Sequence, residues 1–288
     1  MWFVWDAGIA VSFMGLGCML ACVLACMYNL SEWLGATVAG VSFQIMLLVM
    51  SGWALSSHWY TMTTNPGTIP KSMRISQLSP VDEKTLGEPK ANEFVYCETC
   101  DALHPKRAEH CHTCQSCVVL MDHHCPWVNN CIGIGNAKNF ILLLLYVAML
   151  CAAMIVVTVL QLWTCTAPIV CGLKAGASPG RAGMWVLAVS SLFLVLCSLM
   201  LAMEIFSISE DEIYGAIASD LSSLQESREH GSKLSRHLGI LFGNDMFQWH
   251  WLVPGRNVHR RRRDDEMDII LGYREGESSH KSGIQSLV

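Results

Sequence analysis

Charged residues are what this chain has least of. Only 15% of its 288 residues are Asp, Glu, Lys or Arg, against 52% hydrophobic, where soluble domains carry about 25% charged residues. The shortage is concentrated. Ala7–Tyr28, Ala36–Ser57, Phe140–Trp163 and Met184–Phe206 hold one such residue between them, Glu204. Each reaches the ~20 residues that a helix needs to cross a hydrocarbon core. Trp33, Trp59, Trp163 and Trp185 supply interfacial aromatics at their ends. This pattern excludes a soluble globular domain. It also excludes an ion transporter, whose spans carry the ionisable groups that bind or relay the ion.

Basic residues are few, 19 in all, and their distribution sets the orientation. Seven (Lys71, Arg74, Lys84, Lys90, Lys106, Arg107, Lys138) fall in 61–138 and ten follow residue 206, while 164–183 holds Lys174 and Arg181. By the positive-inside rule the long middle loop and the tail are cytosolic, and four spans place the N-terminus there too. The first six residues carry no basic charge, so Ala7–Tyr28 reads as a first span and not a cleaved signal peptide. Nucleic-acid binding is excluded for want of a second basic stripe or a recognisable module. The run Arg260–Arg263 reads as a solvated stop near the membrane, or as an attraction for anionic lipid of about 1 kcal/mol per residue.

Pro66, Pro70, Pro80 and Pro89 break any helix in one stretch and mark it as a linker. The chain thus reads as an all-α multi-pass membrane protein, four transmembrane helices with a small zinc-stabilised cytosolic cysteine-rich domain between helices 2 and 3. Its divisions are helices 1 and 2 over 1–60, a linker over 61–93 and the cysteine-rich domain over 94–138. Helices 3 and 4 occupy 139–206 with a lumenal loop at 164–183, and a cytosolic tail covers 207–288. Long repeats are absent. In the tail, Ile213, Ile217, Leu221 and Leu224 share a helical face, and an aromatic cluster from Phe242 to Trp251 is suited to docking on the membrane face or the middle domain. Beyond about residue 264 the expectation is disorder. The end, Ser286-Leu287-Val288, fits a ligand for a carboxylate-capturing PDZ-type domain, a match only three residues long.

Seven of the 14 cysteines lie between residues 97 and 131, in the order Cys97-x₂-Cys100-x₉-His110-Cys111-x₂-Cys114-x₂-Cys117-x₄-Asp122-His123-His124-Cys125-x₅-Cys131. A reducing cytosol favours zinc over disulfides for such spacing. Cys97, Cys100, His110, Cys111, Cys114, Cys117, His124 and Cys131 make eight ligands, enough for two closed Cys₃His sites. Their pairing is not read from spacing alone. Cys125 is left over, as a nucleophile or as a spare ligand. Asp122-His123-His124-Cys125 offers a carboxylate, an imidazole and a thiol within one turn. With His124 turned to a metal, His123 can face Cys125 as base, its tautomer fixed by Asp122. Pro126 and Trp127 stiffen the chain beside the thiol. Phe140 opens a span 15 residues after Cys125, so a nucleophile at this depth meets a substrate with a wet head group and a buried tail, the shape of acyl-CoA.

On these residues, continued by Asn136 and Phe140, the chain resembles the DHHC-type protein S-acyltransferases (palmitoyltransferases), and four spans with this domain between the second and third are that family's layout. The resemblance implies two structural zinc ions, one on Cys97, Cys100, His110 and Cys117 and the other on Cys111, Cys114, His124 and Cys131. It implies that Cys125 attacks the thioester of a fatty acyl-CoA such as palmitoyl-CoA, with His123 as base and Asp122 as its orienter. The chain then passes to a cysteine of a membrane-associated protein. Trp127, with Tyr146 and Leu150 at i, i+4 on the third span, would line the acyl cavity, and Lys106 and Arg107 would meet the CoA phosphates. An endomembrane location, Golgi or endoplasmic reticulum before plasma membrane, is also implied. Three motifs depart from the family: His104-Pro105-Lys106-Arg107 for Lys-Pro-x-Arg, Asn65-Pro66-Gly67 for Asp-Pro-Gly, and Ser207-Ile208-Ser209-Glu210 for Thr-Thr-x-Glu.

A membrane-tethered zinc adaptor of RING type is the competing reading. A cross-braced finger ends with another Cys-x₂-Cys pair, and here only Cys131 follows Cys125 before the next span. Elsewhere, Cys18, Cys22 and Cys26 read as small apolar residues of the first span, Cys165 and Cys171 are placed for a lumenal disulfide, and His58 reads as interfacial. His104 and His112 lie off the ligand frame.

Overall fold

The computed structural model describes residues 7–69, 94–165, 180–210, 214, 217, 232–242 and 248–255. Four helices are long and apolar enough to cross a membrane: α1 (Ala7–Leu34), α2 (Val38–Thr63), α3 (Ala137–Thr164) and α4 (Gly180–Glu210). Each outruns the apolar stretch that announced it, and caps set the boundary between the first two. Gly35, at φ +55°, closes α1 by donating its N–H to the Ser31 carbonyl at 3.0 Å. Thr37 opens α2, its Oγ1 accepting from the Gly40 N–H at 3.2 Å.

Helix α3 is the hub of the bundle. Half of its most apolar window is buried, against about a fifth in the other three, which turn most of their apolar surface outward, as lipid-facing helices do. It packs along α2 and α4, and α1 closes the bundle. A short helix α5 (Lys233–Phe242) and a 3₁₀ turn, Trp249–Trp251, complete the described tail. They sit on the first turns of α3. Lys138 Nζ donates to the His250 carbonyl at 2.6 Å, Asn139 exchanges two hydrogen bonds with Gly255 at 2.9 and 3.0 Å, and Tyr146 Oη donates to the Leu252 carbonyl. The aromatic segment therefore docks on the bundle, with Trp251 against Phe242 at 4.9 Å between centroids. Of the tail helix read from the sequence, Tyr214 and Ile217 are helical and buried. Its remainder, the linker beyond residue 69, Arg260–Arg263 and Ser286–Val288 lie outside the described residues. Cys165 is disulfide-bonded, and Cys171 is among the undescribed positions.

Between α2 and α3 the chain forms three antiparallel hairpins: β1–β2 (Phe94–Cys97, Ala102–Pro105), β3–β4 (Ala108–Cys111, Ser116–Val119) and β5–β6 (His123–Cys125, Asn130–Ile132). They form a 14-residue repeat, too short to count among the long repeats that the sequence lacks. Cys97, Cys111 and Cys125 stand at equivalent positions, paired across their hairpins with Ala102, Ser116 and Asn130. Asp101, Gln115 and Asn129, again 14 apart, take the left-handed conformation at φ +50°, +50° and +48° that the turn requires.

The hairpins are fastened to α2 by side-chain amides. Asn130 Nδ2 reaches the carbonyls of Thr61 (3.0 Å), Met62 (3.3 Å) and Thr64 (2.9 Å), and Asn136 Nδ2 reaches Thr61 (3.1 Å) and Cys131 (2.8 Å). These satisfy the last carbonyls of α2, which have no partner within the helix. After α2, Asn65 Oδ1 accepts from the backbone N–H of Gly67 and of Thr68, both at 2.9 Å. The amide oxygen thus holds the turn that a carboxylate would hold, so the Asn65-Pro66-Gly67 departure leaves the turn intact. Gly135 packs directly on this loop, and a Cβ there would lie 2.1 Å from the Asn65 carbonyl oxygen.

Candidate active site and metal centres

Two sets of four ligand atoms converge, Cys97, Cys100, His110, Cys117 and Cys111, Cys114, His124, Cys131. In each, the hairpin repeat does the assembling. The two cysteines of one turn meet a His and a Cys of the next hairpin, which face each other in register as His110↔Cys117 and His124↔Cys131. Around the first centre, His110 Nδ1 lies 3.5, 3.2 and 3.8 Å from the sulfurs of Cys97, Cys100 and Cys117. Around the second, His124 Nδ1 lies 3.7, 3.3 and 3.7 Å from Cys111, Cys114 and Cys131. Zn–S and Zn–N bonds of about 2.3 and 2.1 Å in a tetrahedron demand S···N separations of about 3.6 Å. Both donor sets fit zinc. In the second centre the Cys131 hydrogen bond, against burial, holds the Cys114 thiol down at about 6 while Cys131 is pushed up. A metal replaces such shared protons.

The pairing was legible after all. Each centre spells Cys-x₂-Cys-x₉-His-x₆-Cys, and the two copies overlap with an offset of 14. That repeat also explains the odd thiol. Cys125 is the first cysteine of a third such turn, whose second position is Val128 and whose hairpin leads directly into α3. It belongs to neither ligand set.

Cys125 is 2% exposed and sits on the wall of a cavity of about 300 Å³ enclosed by α1, α2, α3 and α4. Trp127, 45% exposed, forms part of the same wall and packs edge-on to Phe193 of α4 at 6.4 Å. Gly15 of α1 makes room for its ring; a Cβ there would approach the indole to 3.2 Å. From α3 the lining is Phe140, Leu143, Leu144, Val147, Cys151 and Met154. Tyr146 and Leu150 do not line it. Tyr146 turns to Trp53, with centroids 5.7 Å apart, and to the Leu252 carbonyl, and Leu150 is 0% exposed within the bundle core. Both were expected on the cavity wall. Because α3 is apolar all round, its sequence marks no preferred face.

Asp122, His123 and Cys125 are gathered by strand β5, not by a helical turn. Alternation along a strand sends His124 one way, to the metal centre, and His123 and Cys125 the other. His123 Nδ1 donates to Asp122 Oδ2, and its ring lies edge-on to Phe140 at 5.4 Å. Burial works against the imidazolium, but the Asp122 hydrogen bond and the Cys125 side chain outweigh it and raise His123 to about 10. The same hydrogen bond, against burial and aided by Glu204, keeps Asp122 below its ordinary value. Glu204, the lone charge of the spans, lies with Asp122 and His123, ligand atoms of the three within 4.8 Å. The signal that could have found it was its position, since a carboxyl in a span marks a functional site by default.

His58 is buried beside the cavity, with Nε2 at 3.0 Å from the Trp127 carbonyl, to which it donates, and 3.2 Å from Ser12 Oγ. His104 is buried too, its Nδ1 bonded to the Pro105 carbonyl at 2.9 Å. Lys106 is exposed and Arg107 half-buried. Neither joins Cys125 on the cavity wall.

Comparison with known proteins agrees with this site. Residues 90–214 match the DHHC palmitoyltransferase family. Palmitoyltransferase ZDHHC3 of Homo sapiens is 27% identical over 280 residues, covering 94% of this chain and 88% of its own length. Palmitoyltransferase ZDHHC7 of Mus musculus is 37% identical over 131 residues, 45% of this chain and 40% of its own length. Palmitoyltransferase ERF2 of Candida glabrata is 38% identical over 113 residues, 36% and 35% of the two chains. The matched segment carries both metal centres, residues Asp122–Cys125 and α3, and over residues 90–214 the chain is similar to the DHHC palmitoyltransferase family.

Proposed function

We propose that the protein is a protein S-acyltransferase that moves a long-chain fatty acyl group, typically palmitoyl, from acyl-CoA to cysteines of membrane-associated proteins through an acyl-Cys125 intermediate. The observation that carries this reading is the position of Cys125, a thiol outside both metal sets on the wall of an apolar cavity within the helix bundle. Cys125 Sγ attacks the thioester carbonyl and the C–S bond to CoA breaks. His123 takes the thiol proton and returns it to the departing CoA sulfur. The acceptor protein's thiol then attacks the Cys125 thioester, His123 again carrying the proton from the incoming to the leaving sulfur. Asp122 fixes the tautomer and supports the imidazolium. Each metal centre would hold one zinc ion, which supplies rigidity to strand β5 and no reacting group. Lys106 and Arg107 are the cationic residues of the hairpins closest in sequence to the metal ligands, and we assign them the CoA phosphates.

In this reading the hairpins, the N-terminus and the tail are cytosolic, and the enzyme is integral to Golgi or endoplasmic reticulum membranes. The test is uptake of labelled acyl chain from palmitoyl-CoA by purified protein, in a bond that hydroxylamine cleaves and that maps to Cys125. Equal uptake by Cys125→Ser would overturn it.

A further inference from the structure

One buried histidine on the cavity wall has no part in the reaction just described. His58, 7% exposed, stands on α2 one helical turn before Met62. Its Nε2 lies 3.0 Å from the Trp127 carbonyl, which can only accept, so this nitrogen carries a proton and donates it. Ser12 Oγ of α1, 1% exposed, lies 3.2 Å from the same nitrogen. Trp127 belongs to the β5–β6 turn, where the Val128 N–H donates to the Cys125 carbonyl and the Asn129 N–H to the Pro126 carbonyl, both at 3.3 Å. At the 14-residue spacing, the other two turns carry exposed Thr99 and Thr113 in its place. The third turn instead meets a membrane helix through a buried donor.

Cys125 is thereby held from two sides. Asn130, its partner across the hairpin, donates to the Thr61 and Met62 carbonyls of α2. Trp127, two residues beyond the thiol, accepts a hydrogen bond in return from His58 of the same helix. The Trp127 ring packs between Gly15 of α1 and Phe193 of α4, so ring and carbonyl are both fixed. Loss of the His58 donor leaves the metal centres and the Asn130 clamp in place. It frees only the turn that carries the thiol.

We propose that His58 is a positioning residue for acyl transfer: its Nε2–H ties the Trp127 carbonyl to α2 and fixes the Cys125 turn against the cavity. This rests on the acyltransferase reading above. His58 acts through the backbone of the turn, and its effect reaches the thiol two residues away.

The experiment compares His58→Gln with His58→Leu in purified full-length protein. His58 lines the cavity, so both substitutions keep bulk on the wall, and only Gln keeps a donor. Three quantities are read: the rate of acyl uptake at saturating palmitoyl-CoA, the half-saturating concentration, and bound zinc as a measure of folding. In His58→Leu the saturated rate falls about tenfold or more, as a small misplacement of a catalytic group predicts. Half-saturation and zinc stay at wild-type values. His58→Gln recovers a rate within about threefold of wild type. The proposal fails if His58→Leu matches wild type, loses zinc, or changes in half-saturation alone. It fails equally if His58→Gln, with zinc retained, falls as far as His58→Leu. Any of these results with uptake still dependent on Cys125 leaves the acyltransferase reading standing. Uptake indifferent to Cys125→Ser removes both.

Discussion

His123 and Cys125 lie on one face of strand β5, and the residue between them, His124, takes the other. A two-residue period does what no helix could do so compactly, placing an imidazole and a thiol on one side while the intervening histidine joins a donor set that fits a metal. The strand belongs to the third unit of a 14-residue hairpin repeat. The first two units supply Cys-x₂-Cys turns that are filled from the following hairpin. The third is followed directly by α3, and its first cysteine stands outside both ligand sets.

The first centre should be separable from the reaction. Cys117→Ala removes one of four ligands at a site that shares no residue with the cavity wall. Metal analysis should find about one zinc per chain instead of two, with a lower melting temperature, since metal-binding free energy here is folding free energy. Two retained zinc ions would refute the assignment of Cys117.

The repeat makes a more unusual demand. Val128 occupies the position that Cys100 and Cys114 hold in the other turns. Val128→Cys, a small change in volume, places a second thiol in register with Cys125. Acyl uptake by this variant should be inhibited by micromolar zinc and restored by a mild chelator, while wild type is indifferent. An equal response of the two proteins would show that the third turn is not built like the others.

Chain-length preference should follow the true lining of α3. Cys151→Trp narrows the cavity and should shift uptake toward shorter acyl-CoA by several carbons. Leu150→Ala, at a fully buried site off the wall, should lower stability by about 2–4 kcal/mol and leave chain preference unchanged. Competition between acyl-CoA species reads the first, thermal unfolding the second.

Asn130 is the clamp between hairpins and α2. In Asn130→Ala the carbonyls of Thr61, Met62 and Thr64 lose a shared donor. A loss of about 1–3 kcal/mol is expected for groups buried without a partner, with both zinc ions retained. A melting temperature equal to wild type would mean that water replaces the amide at no cost.

The spans were legible because hydrophobic length is a coarse signal that tertiary packing does not disturb. The eight ligands and the spare thiol were legible because zinc chemistry constrains residue type and number. The hairpins were not, since strands of three or four residues carry too few positions to display alternation, and the repeat was hidden by ligands shared between neighbouring units. Tyr146 and Leu150 were misplaced for the opposite reason: α3 has apolar residues on every side, so only packing chooses the cavity face. Glu204 was visible as a lone charge, but its meaning depended on Asp122 and His123, more than 80 residues away in sequence.

The division of labour between the adjacent histidines is the centre of the account, and one paired measurement tests it. Zinc content and Cys125 acylation are determined on His123→Ala and His124→Ala side by side. His123→Ala should keep both zinc ions and lose acylation by about 10²–10⁴-fold, the usual contribution of a positioned base. His124→Ala should lose close to one zinc per chain. Loss of zinc in His123→Ala, or two zinc ions retained in His124→Ala, would contradict it.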